Sequence, residues 1–159
     1  MASVCSNRLV NRPKRATLLT GLLCAVVGCM GGARGSHYRP QSRAVTLTAV
    51  PLLTRELATT YPFLAADFRK GGVLEGKEVY AFVPDHVTAF EGDTLRFTLI
   101  NPEDDQHTFV LSNLAVTMPP QTTVNSTYVA REAGIFHFVC DIPAHKPMMY
   151  GELVVLKPQ

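Results

Sequence analysis

The stretch FVCDIPAHKPMMYGELVV, residues 138–155, holds the only cysteine beyond residue 29, a histidine five positions after it, and then Met148 and Met149. A β-prone segment leads into Cys140, and another, GELVVL, follows the methionines. Pro143 and Pro147 interrupt what lies between, so the stretch reads as strand, loop, strand. Taken singly, each residue has an ordinary explanation. A cysteine on an apolar strand is usually a small buried hydrophobe, and methionines usually fill gaps. Thiol, imidazole and thioether gathered in one loop are, however, the donors that soft and borderline metal ions take.

Outward from this loop, the chain from Lys77 onward reads as short strands. KEVYAFV, HVTAF, TLRFTLI, HTFVL, STYVA, IFHFVC and GELVVL are rich in Val, Ile, Phe, Tyr and Thr. Turn formers separate them: Pro84-Asp85, Glu91-Gly92-Asp93, Asn101-Pro102, Pro119-Pro120 and Ala133-Gly134. Short strands at this spacing predict an all-β Greek-key sandwich or barrel. In IFHFVC the period of two puts Phe136, Phe138 and Cys140 on one face and Ile135, His137 and Val139 on the other. Cys140 therefore faces the core, and His137 faces outward. AVTLTAV, from Ala44, reads as a first strand. TRELATTYPFLAADF has some helical spacing, but Pro62 interrupts it, so a short helix or turns is expected there.

The N-terminus differs in character. Residues 1–28 carry Arg8, Arg12, Lys14 and Arg15 and no acid, ahead of the apolar run ATLLTGLLCAVVG. A basic segment followed by roughly 7 to 15 apolar residues is a secretory signal. Without it the formal charge of +2 becomes 11 basic against 13 acidic side chains. No basic stripe remains of the kind nucleic-acid binding needs. The residues VVGC ending at Cys29 resemble the lipobox of bacterial lipoproteins, which implies acyl chains on Cys29 and a membrane-anchored protein. An ordinary cleavage near Ala33-Arg34-Gly35 is the alternative. Either way the mature protein is expected outside the cytoplasm, in the periplasm or on a membrane facing it. Cys140 is then left without a disulfide partner. The expected organisation is a signal over 1–28, a flexible tether over 29–42, an extension packed on the sandwich over 43–76, and the main domain over 77–159.

His107 opens HTFVL after the turn NPEDDQ, and strand ends distant in sequence can meet at one pole of a sandwich. Two imidazoles, one thiolate and a weak thioether suit copper: the trigonal set accepts both oxidation states, and an axial Met tunes the potential. Zinc has no use for a thioether, and calcium and magnesium want oxygens.

The segments VPDHVTAFEGDTLRFTLINPEDDQHTFVL, REAGIFHFVCDIPAH and MMYGELVVL resemble the cupredoxins, the small blue copper proteins and related domains. The resemblance covers about half of the chain. It implies one copper ion held by His107, Cys140 and His145. The Met-x-Gly frame, and the spacing of azurin-like loops, put the axial methionine at Met149; the spacing of cytochrome oxidase subunit II would give Met148. The binuclear centre of that subunit needs a second cysteine where this chain has Phe136. Thr108 stands where many of these proteins have an asparagine tying the two ligand loops together. The implied role is one-electron transfer by a monomer, not catalysis, with a c-type cytochrome, an oxidase or another copper protein as partner. A copper carrier and a metal-free interaction module are the rival readings. Glu103, Asp104 and Asp105 are either a solvated turn or an acidic rim that steers a basic partner.

Overall fold

The computed structural model describes residues 37–159. Cys29 and the signal segment lie outside the described residues. Among the described residues no helix is long and apolar enough to cross a membrane.

Among the described residues nine strands form two sheets. In chain order they are β1 (Ser42–Leu53), β2 (Val79–Val83), β3 (His86–Phe90), β4 (Thr94–Asn101), β5 (His107–Leu111), β6 (Leu114–Met118), β7 (Thr122–Val129), β8 (Gly134–Val139) and β9 (Tyr150–Leu156). One sheet has the order β2-β1-β4-β7 and the other β3-β9-β8-β5-β6. Strand pairs β1/β4 and β3/β9 are parallel; the rest are antiparallel. This is the expected all-β sandwich. The alternation read in IFHFVC holds: Phe138 and Cys140 are buried, and Ile135 and His137 are exposed.

Residues 43–76, expected as an extension packed on the sandwich, divide instead at Thr54. The first part is β1, an interior strand of its sheet. Pro51 lies past the end of the pairing with β4 at Thr48, opposite Tyr80 of β2 and at a register irregularity between Pro51 and Leu53, the kind of place where a strand accepts proline. The second part supplies only short helical turns, Leu57–Thr60, Pro62–Leu64 and Ala65–Phe68. The last residues of the expected tether are also held. The carboxylate of Asp93, wholly buried, accepts from Tyr38 Oη, Arg43 Nε, Gln41 N (2.8 Å) and Phe90 N (3.0 Å). Burial alone would raise the Asp93 pKa, but these donors hold it well below the usual carboxylate range. Gly92 supplies the positive φ, +92°, that turns the chain into this clasp. Strand β6 is not legible as a separate strand in HTFVLSNLAVT. Its hairpin turns on Ser112 at φ 51° and Asn113, without a glycine to mark it.

The core lies between the sheets. The Phe109 ring packs on Phe97 (5.1 Å), Phe138 (5.3 Å) and Phe82 (5.8 Å) between ring centres. Gly151 of β9 pairs with Phe138 of β8, and a Cβ there would collide with the Phe138 ring and the Asp85 carbonyl oxygen. The glycine of the Met-x-Gly frame is thus a packing requirement. Gly151→Ala should lower stability by about 3 kcal/mol through overpacking, measured by denaturant unfolding; an unchanged midpoint would show that Phe138 yields freely.

Candidate metal centre

Strands β5 and β8 pair through Val110 with Val139 and Leu111 with Phe138. Carried along, that register sets Phe109 beside Cys140 and Thr108 beside Asp141. His107, two residues from Phe109, shares its inward face. The centre therefore sits at one end of the phenylalanine core. Asn101, almost wholly buried, shapes the turn that delivers His107. Its amide nitrogen lies 2.8 Å from the Asp105 carbonyl and 3.0 Å from those of Met118 and Pro119, and its oxygen accepts from Glu103 N at 3.1 Å. The sequence marked this residue only as a turn former.

The loop after β8 is closed at both ends. Cys140 N donates to Met149 O at 2.9 Å, and His145 O accepts from Met148 N (3.1 Å) and Met149 N (3.3 Å). Glu78 N donates to Ala144 O at 3.1 Å and ties the loop to the start of β2. These bonds aim His145 inward at 4 % exposure, and Cys140 Sγ lies 3.6 Å from His145 Nδ1. Thr108, where the resemblance expects an asparagine, does tie the two loops. Its hydroxyl bonds Asp141 Oδ1 at 2.6 Å and accepts from Asp141 N at 2.9 Å. Cys140 Sγ is farther from that hydroxyl, at 3.6 Å, and the single hydroxyl proton serves Asp141.

His107, Cys140 and His145 each offer a donor atom, and these atoms all lie within 4.8 Å of one another. Both ring nitrogens of His107 are buried and have no hydrogen-bond partner. Leaving a buried polar group unsatisfied costs about 1–3 kcal/mol, a cost that a bound cation on one nitrogen would remove. The site thus fits a metal ion that takes nitrogen and sulfur. Of the two methionines, Met149 is buried in the cluster with Cys140 and Met148 is 48 % exposed.

One aromatic ring packs on both imidazoles. The Tyr80 ring lies 4.6 Å from that of His107 and 4.7 Å from that of His145. Its hydroxyl donates to Asp105 Oδ2 at 2.8 Å and lies 3.3 Å from Glu78 Oε2. Burial, then Asp105, pushes the Tyr80 pKa up, so it remains a neutral donor. Glu78 and Asp105 can approach His145 as a further donor group, but the phenol already engages both. Asp105, exposed like Asp104, thus reaches the edge of the centre through the Tyr80 hydroxyl, which Asp104 does not bond. The remaining histidines, His37, His86 and His137, are exposed and take no part.

No family model matches the chain, and no curated protein does. Solved structures do. The multicopper oxidase mgLAC aligns with 74 % of this chain and 40 % of its own, at 13 % identity and TM-score 0.52. The blue copper oxidase of Nitrosomonas europaea aligns with 73 % of this chain and 39 % of its own, at 17 % identity and TM-score 0.50. Auracyanin A, a "blue" copper protein of Chloroflexus aurantiacus, aligns with 72 % of this chain and 99 % of its own, at 17 % identity and TM-score 0.48. The chain spans about two fifths of the length of the oxidases. The fold is cupredoxin-like.

Burial, then the neighbouring His145, pushes the His107 pKa down from 6.5 to about 4. Burial lowers that of His145 as well. In the metal-free protein the unfolded chain binds a proton at His107 below pH 6.5 that the folded chain refuses until about pH 4. The contribution of this ring to stability is complete above pH 6.5 and is lost between pH 6.5 and 4, a fall of about 3 kcal/mol. Urea unfolding of the metal-free protein across that range should show the fall, and His107→Leu should flatten it. Parallel curves for the two proteins would contradict the assignment.

Proposed function

We propose that the domain would hold one copper ion through His107, Cys140 and His145, with Met149 as a weaker fourth donor, and carries single electrons. The observation that carries this reading is His107: a fully buried imidazole with two unpartnered nitrogens, beside a buried thiol and a second imidazole. The donor set is the one copper favours in both oxidation states. When bound, the ion supplies a reversible one-electron couple.

The chain's own residues do the rest. Asn101 and Thr108 hold His107, Cys140 and their loops in place, so little needs to move when the charge changes. Phe82, Phe109 and Phe138 exclude water from one side. Three strong donors and a fourth from Met149 would complete the set that such an ion takes, so our reading is a carrier and not an enzyme. Pro143, Pro147 and Met148 are exposed around His145, with Lys146 among them, and give a small, mostly apolar surface suited to a brief encounter. The partner in this reading is a c-type cytochrome, an oxidase or another copper protein. Acidic residues at the rim would favour a basic one. The secretory signal and the lipobox-like VVGC support a site of action at the cell envelope, with Cys29 as lipid anchor.

Copper reconstitution followed by optical and paramagnetic-resonance spectra tests the centre. Wild type should give an intense thiolate-to-copper band, and Cys140→Ser should lose it; a serine variant that keeps both colour and copper would exclude Cys140 as ligand. Met149→Leu should raise the reduction potential, since a weak donor to the oxidised ion is gone, while Met148→Leu should leave it in place. The reverse pattern would assign Met148. Met148→Lys should slow electron exchange with the partner without altering the spectrum; an unchanged rate would remove the apolar surface from the reading.

A further inference from the structure

Tyr80 and Phe82 are the buried, inward residues of β2, and they face the sheet that carries His107. Phe82 meets the core rings of Phe109 (5.8 Å) and Phe138 (5.6 Å). Tyr80, two residues away on the same face, meets the imidazoles instead. Its ring lies at 68° to that of His107 and at 56° to that of His145. The imidazole centres are themselves 4.8 Å apart. Three rings from three separate segments thus pack pairwise.

We propose that Tyr80 is the positioning residue of the centre: its ring sets the planes of both ligand imidazoles. The inference rests on the reading of His107 and His145 as ligands. A ligating histidine almost always bonds its second ring nitrogen to a carboxylate, a carbonyl or water, and that bond fixes the ring. No protein group does this for His107, since neither of its buried nitrogens has a hydrogen-bond partner. An ion on one nitrogen would leave the other as it is. The side-chain torsion that turns an imidazole is soft and broad, so packing has to set the plane. Tyr80 meets His107 nearly edge to face, an arrangement that aromatic rings prefer. For His145 the polar contact is Cys140 Sγ, 3.6 Å from Nδ1. That sulfur is a ligand in the same reading and gives the ring no independent brace.

A second observation is that Tyr80 is itself tied to both ligand segments. Its hydroxyl donates to Asp105, two residues before His107, and Asn101 holds the carbonyl of that same Asp105. The hydroxyl also lies 3.3 Å from Glu78 Oε2, and Glu78 N donates to the carbonyl of Ala144, the residue before His145. The phenol therefore keeps its place relative to each imidazole, and the three rings move as one body.

Nuclear magnetic resonance of the metal-free full chain, and spectra of the copper-loaded chain, test this. In metal-free wild type the His107 ring should give one set of signals, with cross-relaxation to the Tyr80 ring. A His107 ring that samples two planes with Tyr80 in place would overturn the proposal. Tyr80→Phe keeps the ring and should keep the wild-type visible and paramagnetic-resonance spectra. Tyr80→Leu stays apolar but loses the ring. Its His107 signals should broaden or double, its copper signal should shift toward a tetragonal form, and its copper affinity should fall about 10- to 100-fold. Phe97→Leu is the control, since Phe97 is buried and packs on Phe109 in the core. It should lower the unfolding midpoint without moving the spectra. Wild-type spectra in Tyr80→Leu, an equal spectral shift in Tyr80→Phe, or the same shift in Phe97→Leu would each overturn the assignment. If wild type takes up no copper, the proposed function fails, while the metal-free ring signals still decide whether Tyr80 sets the imidazole planes.

Discussion

The pairing of β5 with β8 is the constraint on which the centre depends. Two residue pairs, Val110 with Val139 and Leu111 with Phe138, set the register. A slip of one residue would turn every side chain of a strand to the opposite face. His107 would leave the interior, and Phe109 would leave the core with it. The inward faces of these strands hold both core and ligands, so the hydrophobic effect that seats Phe109 and Phe138 also seats His107 and Cys140.

This coupling explains how the protein tolerates a buried imidazole with no hydrogen-bond partner. Exposing His107 would require moving Phe109, which packs against three other phenylalanines. The polar groups nearby are spent on holding the backbone. Asn101 braces the turn before His107, and Thr108 and Asp141 lock the strand end to the loop. The carboxylates of Glu78 and Asp105 bond the Tyr80 hydroxyl on the far side of its ring. Negative charge stays close to the centre, while the Tyr80 ring packs on both imidazoles.

Much of this was legible in the sequence because period-two patterning reports which face a residue occupies. IFHFVC identified Cys140 as inward and His137 as outward, and both placements hold. Where patterning failed, the reason is specific. β6 hides behind a Ser-Asn turn that needs an unusual φ at Ser112. AVTLTAV reads as a first strand and is one, but Pro51 hides both the end of β1 at Leu53 and its interior place in the sheet. Asn101 looked like an ordinary turn residue, because a side chain bonding distant carbonyls leaves no local pattern.

The sequence by itself determined the fold class, the inward cysteine and the donor types, since these follow from side-chain chemistry and local periodicity. Tertiary structure decided which donors meet. His107 is far from Cys140 along the chain, and only a β5–β8 register set by core packing brings it within reach. Strand order is a contest between whole faces of the two sheets for burial, and no single segment contains it.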